Sequence, residues 1–215
     1  GEIGHPEHVS HLDPEPRQIP SSTMDDMIRI GEVFAAVVDA KSPWTTNHSA
    51  RTAAIARLMA ELMNFSATDQ DRVGLAGLLH DLGKLAVSNA ILDKAGPLLP
   101  EEMEEMQRHT AITHEILSPL WLLDDVGEMA AAHHERLDGS GYHRHLRGPE
   151  MPHGAELLAV ADVYEALTSH RPYRRGMDPD DALGVLKKDQ GTRLAGEPIE
   201  ALTELVSKKM ATEPA

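Results

Sequence analysis

Two pairs of adjacent residues interrupt apolar, helix-prone stretches of this chain: His80-Asp81 inside LLHDLGK and His133-His134 inside AAHHERLDGSGYH. A further carboxylate, Asp162, lies inside the apolar run LLAVADVYEAL. A carboxylate in such a run is costly unless it is paired, hydrogen-bonded or bound to metal. Two neighbouring imidazoles on one helix cannot both point into apolar core. Any fold for this chain must give these groups partners. With His48 and His109 they make seven residues of the two types that bind hard-to-borderline divalent metals. Such a set can hold two ions, and paired metals are a recurrent solution for cutting phosphodiester bonds.

The remaining sequence points to helices. Hydrophobic residues make up 41% of the 215 positions but aromatics only 3%, so the core is built from Leu, Ala, Val, Ile and Met. That bias favours helix over strand. Residues 1–20 carry Pro6, Pro14, Pro16 and Pro20 and read as a linker or disordered lead-in, with His5, His8 and His11 in a solvated tail. One domain is expected over 21–215. Ser22 with Asp25 reads as a capping box ahead of a first helix, which Pro43 ends. Further helices are expected over 45–63, 68–82 (stopped by Gly83), 100–117, 122–136, 153–169, 179–189 and 198–210. Residues 91–100 and 137–153 read as loops.

Composition also excludes some functions. The formal net charge of −15 argues against a DNA or RNA polymer partner and against binding an anionic membrane. No apolar stretch approaches the roughly 20 residues needed to span a bilayer, and no signal-peptide pattern opens the chain. The absence of cysteine leaves His and carboxylate as ligands and is compatible with the cytoplasm, the expected location. A phosphate ligand must then be drawn in by a local positive site, which divalent cations with Lys84, Arg171, Arg174 and Arg175 can supply.

On a regular helix, His80 and Asp81 point about 100° apart. That divergence suits an imidazole on one metal and a carboxylate bridging to a second. Lys84 falls about one turn away and can direct an ammonium at the same place. His114, His143, His145, His153 and His170 read as surface or loop histidines.

LLHDLGK, HHERLDGSGY, LLAVADVYEALTS and RPYRR occur in the order and spacing of the HD-GYP domain, a branch of the HD phosphohydrolase superfamily, which residues 24–208 resemble. The resemblance implies an all-α, HD-type helical bundle around a bimetal site. It also implies hydrolysis of cyclic di-guanylate, a bacterial second messenger, to the linear dinucleotide pGpG, with the final product, pGpG or GMP, left open. The implied ligands are His48, His80, Asp81, His109, His133, His134 and Asp162, with Asp81 as the bridge. Asp81 and Lys84 are the implied catalytic residues; Lys84, Gly141, Tyr142, Arg171 and Arg174 are the implied substrate contacts. Iron or manganese is the expected metal, with nickel or zinc as alternatives. A regulatory domain or partner protein is expected to engage the 137–153 loop.

The chain departs from the family pattern in four places. His143 stands where the GYP proline is usual, which frees a backbone donor and is expected to loosen the loop. Trp44 stands where a subset with a third metal has glutamate, so two metals are expected. Thr113 replaces a common glycine, and Gly196-Glu197-Pro198 replaces Phe-Asp-Pro; neither is expected to touch the metal set. Two other readings fit the same residues: an HD phosphohydrolase acting on another cyclic dinucleotide or nucleotide, and a module that binds cyclic dinucleotide or protein without turnover.

Overall fold

The computed structural model describes residues 23–43, 46–170 and 175–212. Trp44, Arg171, Arg174 and the 1–20 segment lie outside the described residues. Among those described, every regular element is helical: α1 Met24–Asp39, α2 His48–Leu62, α3 Ala67–Leu79, α4 Asn89–Leu92, α5 Pro100–Leu117, α6 Asp124–Ala131, α7 His153–Thr168, α8 Pro179–Lys188 and α9 Gly196–Thr212. The all-α expectation holds, and its boundaries shift in informative ways.

The α1 cap is one residue later than expected. Thr23 has extended backbone, so its hydroxyl accepts the Asp26 N–H at 3.3 Å while Asp26 accepts the Thr23 N–H at 3.2 Å. The expected loop at 91–100 begins instead with the short α4. Between α5 and α6 the chain makes a single 3-10 turn at Trp121–Leu123.

α2 packs on α3 and α7, α6 fills in against α3 and α7, and α8 and α9 close on α7. Small residues make this possible. A Cβ at Gly77 of α3 would stand 2.6 Å from the Ala53 Cα of α2, so the two backbones nearly touch. Ala56, Ala60, Ala76, Ala130 and Ala161 are fully buried, interleaved with Met59, Leu75, Leu157, Leu158, Leu186, Ile199 and Leu202. Each large apolar side chain removed from water contributes about 1.5–3 kcal/mol before entropy is counted. The close helices bring the ends of α2, α3 and α6, with the middles of α5 and α7, to one place.

Candidate metal centre

Two helices stop where the sequence pattern alone continues them. α3 ends at Leu79 with His80 as its cap; Asp81 (φ −96, ψ 9) then leads into a 3-10 turn at Leu82–Ala86. α6 ends at Ala131, leaving His133-His134 in the turn beyond it. The expectation that each pair diverges on a regular helix is therefore corrected. The chain bends at both points, so the members of each pair converge, with the His133 and His134 ring centroids 4.0 Å apart.

The bend at 80–84 is held by α5. A Cβ at Gly83 would stand 2.0 Å from the His109 carbonyl oxygen, so only glycine fits there. Thr113 Oγ1 accepts the Gly83 N–H at 2.9 Å and donates to the His80 carbonyl at 3.1 Å. Thr113 thus supports the ligand turn directly, against the expectation that this departure leaves the site alone. On the other side, α2 begins at His48 rather than 45, after Asn47 in the left-handed region (φ 57). The cap comes from α1: Asp39 accepts the Ser49 N–H at 3.2 Å and the Ser49 hydroxyl at 2.8 Å.

All seven candidate ligands meet. His48, His80 and Asp162 form one group whose donor atoms lie within 4.8 Å of one another, His109, His133 and His134 form a second, and His80, Asp81 and His133 form a third that joins them. Asp81 sits between them. Its Oδ2 is 3.4 Å from His80 Nε2 and 3.7 Å from His48 Nε2; its Oδ1 is 3.5 Å from His109 Nε2 and 3.9 Å from His133 Nε2. Asp162 Oδ1 lies 3.2 Å from His48 Nε2, and its Oδ2 3.9 Å from His134 Nδ1.

Three of the rings are aimed in the same way. His80, His109 and His133 each use Nδ1 on a backbone carbonyl three residues earlier: Gly77 at 2.8 Å, Met106 at 2.6 Å and Ala130 at 2.7 Å. A carbonyl can only accept, so each Nδ1 carries the hydrogen and each Nε2 turns its lone pair to the centre. For His80 and His133 those carbonyls belong to the last turn of a helix, where they need a donor. His80 Nε2 and Asp81 Oδ1 are buried and hydrogen-bond to no described residue. Unpaired buried atoms of these types, facing one another, fit divalent metals.

Electrostatics agree. Burial, helped by nearby Lys84, lowers His109 to about 4; burial lowers His134 to about 3 and His133 well below the usual imidazole range. Burial would raise Asp81 and Asp162, but the surrounding imidazoles, with Lys84 beside Asp81, hold both carboxylates ionised. These are the protonation states in which both types donate to metal. His48 differs: burial lowers it, but Asp162 and Glu165 outweigh that and raise it to about 10, so metal loading has to displace a proton there.

Lys84 places Nζ 2.5 Å from Asp81 Oδ2, at the edge of the cluster. Tyr142 sets its ring 4.9 Å from that of His134 and 6.4 Å from that of His109. Gly141 serves close packing, since a Cβ there would stand 2.3 Å from the Glu135 Cα. The expected loosening at His143 is not what its side chain does: Nδ1 lies 3.2 Å from Thr110 Oγ1, tying the loop to α5. His145, His153 and His170 are exposed as expected, while half-buried His114 pairs with Glu128 at 2.7 Å.

Two functional residues were not legible as such. Fully buried Glu135 accepts the backbone N–H groups of Arg144 at 2.7 Å and Leu146 at 3.0 Å, pinning the 137–153 loop over the His133-His134 turn. Buried Glu165 holds His48 Nδ1 and also accepts from Arg51 at 2.6 Å and Ser169 at 2.5 Å. The available signal was position: Glu165 follows Asp162 by three residues on the same helical face.

A model of the HD domain matches residues 32–197. The chain belongs to the HD domain family. The chain is 39% identical over 203 residues to the 3′3′-cGAMP-specific phosphodiesterase 3 of Vibrio cholerae, an alignment covering 94% of this chain and 44% of that protein. It is 34% identical over 185 residues to a cyclic di-GMP phosphodiesterase of Thermotoga maritima, covering 84% of this chain and 50% of the relative. The chain thus spans about half the length of these relatives or less. Its fold matches Bd1817, an HDG"Y"P protein from Bdellovibrio bacteriovorus, with a TM-score of 0.65 over 86% of this chain and 65% of that one, at 16% identity. The HD-GYP resemblance read from the motifs therefore holds at the level of family and fold.

Proposed function

We propose that this chain is a metal-dependent phosphodiesterase that opens a cyclic dinucleotide to its linear form. The observation that carries the reading is the placement of Asp81, whose Oδ2 faces His48 and His80 while its Oδ1 faces His109 and His133. His48, His80 and Asp162 would hold one divalent ion; His109, His133 and His134 would hold the other, with Asp81 shared. The bound pair supplies Lewis acidity and a water acidic enough to act as hydroxide near neutral pH. Iron or manganese suits the His-rich donors, with nickel and zinc as alternatives.

The protein's own groups do the rest. Lys84 presents an ammonium beside Asp81, where it would meet charge developing on the phosphate. Tyr142 walls the second ligand group, on a loop that Glu135 holds at Arg144 and Leu146. Arg171 and Arg174 would hold the remaining phosphate charge.

Cyclic di-guanylate is the substrate expected from the motifs, giving pGpG or, on a second cleavage, GMP. The Vibrio relative named for 3′3′-cGAMP supports a second substrate reading on the same scaffold. Protein loaded anaerobically with iron or manganese should linearise one of these dinucleotides, and chromatography of timed samples identifies which. Absence of product from protein shown to hold two metals would rule out turnover of these substrates and leave another nucleotide substrate or a binding module.

A further inference from the structure

We infer that Lys41 is a positioning residue for Lys84. The inference rests on the proposed role of Lys84 at the substrate phosphate. Lys41 lies just past the end of α1 and is half-buried. Its Nζ donates to three backbone carbonyls: Lys84 at 2.9 Å, Leu85 at 2.6 Å and Val87 at 2.6 Å. An ammonium has three hydrogens and no acceptor, so this cage uses all of them. Among the described residues Lys41 pairs with no carboxylate, which separates it from an ordinary surface ion pair.

Those carbonyls surround the end of the 3-10 turn Leu82–Ala86, where helix-end acceptors need donors from outside; the Lys84 carbonyl also takes the Val87 N–H at 3.1 Å. The turn begins at Asp81, whose carbonyl accepts the Lys84 N–H at 2.8 Å. Lys84 is thus held at its amide by Asp81 and at its carbonyl by Lys41 together with the Val87 N–H. Its side chain has four rotatable carbons, and fixing its peptide on both sides sets where the ammonium starts from.

The segment carrying Lys41 is itself anchored. Asp39 caps α2 through Ser49, beside His48; Ser42 Oγ donates to Asp93 at 2.7 Å; and Asn89 Nδ2 reaches the Lys41 carbonyl at 3.4 Å. The α1–α2 connection therefore braces two parts of the centre at once, the His48 helix start and the Lys84 turn. Among the described residues Lys41 hydrogen-bonds to no candidate ligand, so it acts through Lys84 rather than on the metals.

The test is a double-mutant cycle on metal-loaded protein with Lys41→Met, Lys84→Ala and both together. Lys41→Met should lower kcat about tenfold at unchanged metal content, the cost of a misplaced group. In the Lys84→Ala background it should cost little more, because the group it positions is gone. An equal further loss in that background, or an unchanged kcat in the single variant, overturns the inference. Lys41→Gln, which keeps two donors, should fall between and serves if the methionine variant does not fold. Hydrogen exchange at the Lys84 and Val87 amides needs neither metal nor substrate: Lys41→Met should speed it and Lys84→Ala should not. Unchanged exchange overturns the inference. Inactivity of the parent with faster exchange in Lys41→Met would count against the phosphodiesterase reading alone.

Discussion

Gly83 and His109 touch through their backbones: a Cβ on Gly83 would stand 2.0 Å from the His109 carbonyl oxygen and 2.9 Å from the Thr113 nitrogen. The ligand turn and the ligand helix α5 are therefore locked at one point. Gly83→Ala forces backbone apart, which no rotamer relieves, and should cost about 3 kcal/mol or more of stability together with metal retention. Thermal denaturation beside metal analysis checks both; a parental Tm with full metal content would show that the contact is dispensable.

Asp81→Asn keeps the size of the side chain and removes one anionic oxygen from the midpoint of the cluster. Metal content should fall by at least one ion per chain, and turnover to under about one hundredth, as expected where one group serves two ions. Full metal occupancy with parental rates would remove Asp81 from the bridging position.

Glu165 orients His48 without reaching the centre itself. Glu165→Gln should weaken metal affinity about 10- to 100-fold, the usual effect of changing a group that orients a ligand. Competition against a chelator of known affinity measures it, and an unchanged midpoint would mean that α2 packing alone aims the ring.

Removing the carboxylate at Glu135 strands the Arg144 and Leu146 N–H groups, at a cost of about 1–3 kcal/mol for each donor left without a partner. Glu135→Ala should therefore make residues 137–153 the first site of limited proteolysis and raise KM as Tyr142 loses its support. Cleavage elsewhere first would place the weak point of the fold outside this loop.

Glu128 joins His114 and Arg144 on the outer side of the same loop. Burial would raise its pKa, but Arg144 and His114 outweigh that and bring it below its ordinary 4.5. A carboxyl lowered on folding contributes stability above its unfolded value and loses it as pH falls through the folded one. The Tm advantage of the parent over Glu128→Gln should therefore be present at pH 6 and shrink as pH drops below about 4.5. A constant difference across that range would show that the ion pairs contribute nothing.

Much of the architecture was legible locally. Pro100 at a helix start, the acids behind it and the apolar spacing up to Leu117 marked α5 to the residue. Helix C-termini were less legible. The sequence pattern carries these helices to Leu82 and Arg136, yet α3 and α6 stop at Leu79 and Ala131, where Thr113 holds one turn and Glu135 ties the other to the loop at Arg144 and Leu146. Thr113 looked like a neutral departure for the same reason: its hydroxyl acts across 33 residues of sequence.

The sequence by itself determined the helical class, an aliphatic core and the seven side chains able to share divalent ions, since residue type and period are local properties. The tertiary structure decided which atom of each side chain faces which group. Asp81 offers one oxygen to His48 and His80 and the other to His109 and His133 only because Gly77 lets α2 and α3 nearly touch and Gly83 lets the turn lie on α5. Those approaches join segments far apart in the chain, and close packing of backbones is a property of the partners together.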